Sequence, residues 1–100
     1  MEAVNEAHVI APVHLGAQTR SVFRDEAIAA LSRLEEADAG ARLVIDMSRT
    51  QRLDSAGLGT LVMLQLRAAE RKQSVELRGV SEVIRFHLLM TRLEDRFVVA

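Results

Sequence analysis

The chain predicts an α/β domain, a mostly parallel sheet of four to five strands with three main helices. Three observations carry this expectation. Short apolar, β-branched runs at 42–47, 74–78 and 96–99 have strand character. The stretches 55–71 and 81–92 between them have helical length and composition. Strands joined through helices of this size imply right-handed βαβ crossovers, and therefore parallel pairing.

In chain order, residues 1–6 are a candidate edge strand, free to run antiparallel. Residues 8–15 form a strand candidate interrupted by Pro12, which cannot donate to a ladder and so belongs at an edge or bulge. Thr19 or Ser21 can cap a helix running to about Ala37, with Val22, Ile28, Ala29, Leu31 and Leu34 as its expected buried stripe. Gly40 is placed to end that helix. The run Arg42-Leu43-Val44-Ile45-Asp46-Met47 is apolar at its centre, as strands covered on both faces are. A three-layer domain is the corresponding expectation.

Composition narrows the function classes. With 100 residues the chain makes one domain with a single modest core. An apolar share of 49% suits a globular fold rather than disorder. A net charge of -1 supplies neither a basic field for nucleic acid nor a polybasic membrane anchor. The three aromatic residues are all Phe and offer no stacking platform for single strands. No run has transmembrane length, the first residues are acidic where a signal peptide is basic, and there is no cysteine; a cytoplasmic location is expected.

The most informative stretch is Leu53-Asp54-Ser55-Ala56-Gly57-Leu58-Gly59, between a strand pattern and a long apolar helix. Asp54 and Ser55 fall where side-chain oxygens cap a helix start. A hydroxyl there, near unpaired N–H groups and a positive dipole end, is equally suited to carry a phosphate. Position and chemistry leave both readings open. Gly57 and Gly59 are expected to give the backbone room at the turn. Further along, Leu58, Leu61, Val62 and Leu66 are expected to face the sheet, leaving Met63, Leu64 and Arg67 on another face, either as a partner patch or as ordinary surface apolarity.

Asp46-Met47-Ser48, a short polar loop, and then Leu53 to Gly59 resemble the signature of STAS domains, in particular bacterial anti-sigma factor antagonists. The similarity continues through Val75-Glu76-Leu77, the helix from Ser81 and Leu93-Glu94-Asp95-Arg96-Phe97-Val98-Val99, covering residues 42 to 99. The resemblance implies a regulatory serine directly after the aspartate, here Ser55. It also implies a docking surface around Asp54, Ser55, Ala56, Gly57 and Leu58. The implied partner is an anti-sigma factor with serine-kinase activity, which brings ATP and Mg²⁺, and a phosphatase reverses the modification. Ala56 stands where relatives often carry a second hydroxyl. One departure concerns the family segment Gly-x-Leu-Asp, matched here by Gly16-Ala17-Gln18-Thr19 without the leucine and the acid. The alternative is a non-catalytic STAS subunit of a larger assembly, such as a lipid-transport ABC complex or a stressosome-type scaffold.

Catalytic readings find little footing. Gly57-Leu58-Gly59 begins a dinucleotide-type pattern, but Val62 replaces the third glycine and the turn follows the strand too late. His8, His14 and His87 share no metal-ligand spacing, and Ser55 has no sequence-evident base. Neither a cofactor nor a resident metal is expected, and the chain is read as a binding module rather than an enzyme.

Overall fold

The computed structural model describes residues 5–34, 36, 37 and 39–100. Residues 1–4 of the edge strand expected over 1–6 lie outside them, and Glu6 is the first residue of β1. Strands β1 (Glu6–Ile10), β3 (Arg42–Asp46), β5 (Ser74–Arg78) and β6 (Val98–Val99) form one sheet in the order β1-β3-β5-β6. Every pairing among the described strands is parallel. The reason is the crossover itself: α1 (Arg20–Ser32) carries the chain back to the starting end before β3 begins. A two-residue parallel pair, β2 (His14–Leu15) with β4 (Arg52–Leu53), sits beyond the carboxyl ends of β1 and β3.

Each crossover steps one strand over in the same direction. With right-handed connections this places α1, α2 (Ser55–Ala69) and α3 (Glu82–Met90) on one face of the sheet. Register bears this out. Rows Ala7-Leu43-Val75 and Val9-Ile45-Leu77 join Phe23, Leu61, Leu64, Ile84 and Leu88 in one core. The opposite rows are Glu6-Arg42-Ser74, His8-Val44-Glu76 and Ile10-Asp46-Arg78. The domain therefore has two layers, which corrects the three-layer expectation and the reading of 42–47 as covered on both faces. Val44 is buried at 1% exposure yet stands outside the core, among long charged side chains. Glu76 accepts from Arg42 Nη1 at 2.7 Å and from Arg78 Nε at 2.6 Å across this open face.

Pro12 does end the first strand. Ala11 N still donates to Asp46 O at 2.9 Å, after which the chain leaves the sheet. Thr19 occupies the N-cap position of α1, but its hydroxyl does not cap. The helix buries Phe23, Ala27, Ala30 and Leu31, with Leu34 just beyond it, so that of the expected stripe only Leu31 and Leu34 are buried. Val22 and Ala29 are exposed and Ile28 is half-buried. The observed set repeats at i, i+4, i+7 and i+8, and its alanines let the helix lie close to the sheet. The helix ends at Ser32, well before Gly40. Gly40 instead takes φ +96 in the turn into β3, where its N–H donates to Lys72 O.

Helix α2 buries Gly57, Leu58, Thr60, Leu61, Leu64 and Ala68. Leu64 is fully buried while Leu66 is 51% exposed, the reverse of the expected assignment. Residues 57, 61, 64 and 68 fall on one stripe of a 3.6-residue helix; Leu66 falls opposite. Val62 and Met63 are half-buried against the core. Helix α3 begins at the cap Ser81, whose hydroxyl accepts from Ile84 N at 3.2 Å, and is followed by a 3-10 turn at Glu94–Arg96. Among the described residues no helix is long and apolar enough to cross a membrane.

Candidate docking site

The loops that follow the parallel strands gather at their carboxyl ends, where open α/β sheets place their binding sites. Three segments meet there: β2 with the loop 16–19, the loop 47–54 leading into α2, and the start of α3. Backbone pairing fixes the first two together. Gln51 N donates to Val13 O at 2.8 Å, Asp54 N to Leu15 O at 3.2 Å, and Thr50 Oγ1 to Pro12 O at 2.8 Å.

Asp54 is the joint of this cluster. Its Oδ1 accepts from Gly57 N at 3.0 Å, which caps α2, and its Oδ2 accepts from Ala17 N at 3.1 Å, which ties down the 16–19 loop. His14 Nε2 stands 3.7 Å from the same Oδ2. These donors, Gly57 first and then Ala17, hold the Asp54 carboxyl below its ordinary value of 3.8 against a smaller desolvation effect. Thr19 braces the loop from the other side, donating to His14 O at 2.6 Å and accepting from Gly16 N at 3.1 Å. Two glycines are required by close approach. A Cβ on Gly16 would meet the Asp54 carboxylate, and one on Gly57 would collide with the Leu15 carbonyl. Gly59, expected to serve the turn as well, has open space around its Cβ position inside the helix.

The cap is Asp54. Ser55 is the first helical residue, is exposed, and among the described residues has no hydrogen-bond partner for its hydroxyl. Of the other residues expected to meet a partner, Ala56 and Met63 are half-buried. Gly57, Leu58 and Leu64 belong to the packed interior. Leu64 therefore cannot form the surface patch assigned to it. Arg67 is exposed but lies twelve residues along α2 from Ser55, about 18 Å at 1.5 Å per residue, in a groove with Ile28 and Ser32 of α1.

Sequence reasoning missed three contributors: His14, Gly16 with Thr19, and the outer face of α3. The family segment at 16–19 pointed to the loop, but nothing in its spacing pairs it with Asp54. A hollow of about 390 Å³ between α3 and β4 brings His14, Arg52, Leu53 and Asp54 together with Val83 and His87. His14 and His87 thus share a groove despite unrelated positions in the chain.

Two solved structures share this architecture. A sulfate transporter family protein from Wolinella succinogenes superposes at TM-score 0.69 with 18% identity, over 92% of this chain and 70% of that one. The murine solute carrier 26 family member A9 anion transporter, in its inward-facing state, superposes at TM-score 0.75, also with 18% identity. There the match covers 99% of this chain but 16% of the transporter, so the chain corresponds to one part of that protein. At such identity the likeness is one of fold. No curated protein matches the sequence. The family model described as "Mlab, STAS domain" matches residues 5–100, and the chain belongs to the STAS domain family.

Proposed function

We propose that this chain is a non-catalytic regulatory binding module, an anti-sigma factor antagonist switched by reversible phosphorylation of Ser55. The observation that carries this reading is the division of labour at the start of α2. Asp54 holds the cap, which leaves the Ser55 hydroxyl exposed and, among the described residues, unengaged. Unmodified, the loop cluster docks onto an anti-sigma factor with serine-kinase activity, and sigma is released. The partner supplies ATP and Mg²⁺; this chain supplies the acceptor oxygen, and a phosphatase restores it.

Phosphorylation adds about 1.5 to 2 negative charges beside the Asp54 carboxylate. In the isolated domain the helix dipole offsets this repulsion, each effect being about 0.3–1 kcal/mol in water. The fold is retained. At an interface the same charge loses its hydration, and affinity falls tenfold for every 1.4 kcal/mol.

A second reading is favoured by the family description, by the transporter names of the two solved structures described above, and by the missing leucine and acid in 16–19. In it the same surface seats the chain as a non-catalytic subunit of a larger assembly, for instance a lipid-transport ABC complex or a stressosome-type scaffold. One experiment separates the two. The chain is incubated with ATP, Mg²⁺ and a serine-kinase anti-sigma factor from the same genome, and phosphate is mapped by mass spectrometry. Stoichiometric label at Ser55, absent from a folded Ser55→Ala variant, with loss of kinase binding on modification, supports the switch. Co-purification with a transporter ATPase that is indifferent to Ser55 modification would favour the assembly reading and refute the switch.

A further inference from the structure

Helix α3 exposes more apolar surface than a helix with a solvated face requires. Ile84 and Leu88 fill its core side. On a 3.6-residue wheel the direction opposite them falls on Phe86, flanked by Val83, Met90 and Leu89. These four are 62%, 70%, 66% and 57% exposed. Single exposed apolar residues are ordinary, but four on one short helix form a contiguous stripe. The stripe does not stop at the helix. Val83 and His87 line the hollow that α3 shares with Arg52 and Asp54, so the apolar face runs into the loop cluster beside Ser55.

Area and charge decide what fits. Four partly exposed side chains offer about 600 Å² at most, short of the roughly 800 Å² per partner of a stable specific pair. The occupant must therefore cover the hollow as well. In the hollow the Asp54 carboxylate is already engaged by two N–H donors and lies near His14, whereas Arg52 is exposed and makes no ion pair among the described residues. The unmatched charge there is positive. We propose that α3 and this groove form the second half of the docking surface and receive an amphipathic helix of the protein partner. Its apolar residues cover Val83, Phe86 and Met90, and a carboxylate meets Arg52. The proposal rests on the reading of the Ser55 loop cluster as a docking site and extends it to a partner of defined chemistry.

The test uses the full chain, isotopically labelled, titrated with a synthetic amphipathic helical peptide of about 16 residues bearing leucines on one face and one glutamate. A twin peptide carries lysine instead of the glutamate. Amide shifts are expected along α3 and β4, with the glutamate peptide binding at least about tenfold more tightly than its twin. Phe86→Glu should abolish binding without altering the melting curve, and Arg52→Glu should invert the peptide preference. Should Phe86→Glu fail to fold, Val83→Glu takes its place. Shifts confined to other surfaces overturn the proposal. So does a Phe86-dependent dimer in sedimentation, or Phe86-dependent binding to phosphatidylglycerol vesicles, because the occupant would then be a second copy or a membrane. The same variants are read in the kinase-binding assay. Loss on Ser55→Glu but not on Phe86→Glu overturns the α3 proposal and leaves the Ser55 reading standing; the reverse pattern overturns the Ser55 reading alone.

Discussion

At the residue scale, the two glycines of the α2 start have opposite physical roles. Gly57 has no room for a methyl group because the Leu15 carbonyl occupies the space, whereas Gly59 stands in an exposed helical position with none of its surroundings in the way. Gly57→Ala should therefore lose about 1–3 kcal/mol through overpacking against backbone. Gly59→Ala should gain up to about 1 kcal/mol because alanine restricts the unfolded chain and favours the helix. Melting temperatures of the two variants should move in opposite directions by several degrees. Asp54 makes a second prediction. Its folded carboxyl is held below 3.8, so the unfolded state binds the proton more readily. Its contribution to stability is complete above its ordinary value and is lost as pH falls through the lowered one. Urea midpoints measured at about pH 7 and about pH 3 should show a smaller acid loss for Asp54→Asn than for the parent. An equal acid loss in both proteins would place the sensitive group elsewhere.

At the scale of elements, α2 shows how a helix rich in apolar residues conceals which of them matter. Leu64 and Leu66 are two positions apart and point about 200° apart around the axis. One is sealed in the core and the other is half in water. Leu64→Glu would bury an uncompensated charge and should leave no cooperatively folded protein. Leu66→Glu should stay within about 0.5 kcal/mol of the parent by denaturant titration. Folded Leu64→Glu of unchanged midpoint would contradict the packing described. The helices at the carboxyl end of the sheet start on reliable caps, Asp54 for α2 and Ser81 for α3. In α1 the equivalent Thr19 gives up that role to brace the loop against His14 and Gly16. A cap candidate of the sequence thus uses its hydroxyl to brace the loop.

At the scale of the whole molecule, a sheet covered by helices on one face must deal with the other. The chain does so with ionised side chains rather than a second layer. Glu76, 4% exposed, is clamped between Arg42 and Arg78 beside the buried Val44. Arg78 first, then Arg42, holds the Glu76 carboxyl below its ordinary value of 4.5 in spite of burial. Replacing it by glutamine removes the anion and leaves two guanidinium groups facing a neutral amide. Glu76→Gln should cost about 1.5–3 kcal/mol, read as a lower urea midpoint at neutral pH. The difference should shrink as pH falls through the lowered value of Glu76, where the native glutamate also gains a proton. A variant as stable as the parent at neutral pH would mean that the clamp is incidental to the stability of this face.

Local chemistry settled much of this protein in advance. The apolar β-branched runs, the helix-length stretches between them and the crossover rule made a parallel α/β sheet legible, because those signals depend on neighbours in the chain. The position of Asp54 and Ser55 at a helix start was legible for the same reason. Two layers rather than three, the burial of Leu64 and the exposure of Phe86 were not. An apolar strand centre looks alike whether a helix or a lattice of arginines and glutamate covers it. A helix apolar on several faces carries no mark of which face meets the sheet. Those outcomes depend on contacts between segments far apart in sequence. The tertiary structure alone brought the 16–19 loop under Asp54, gave the cap to one residue and freed the hydroxyl of the next.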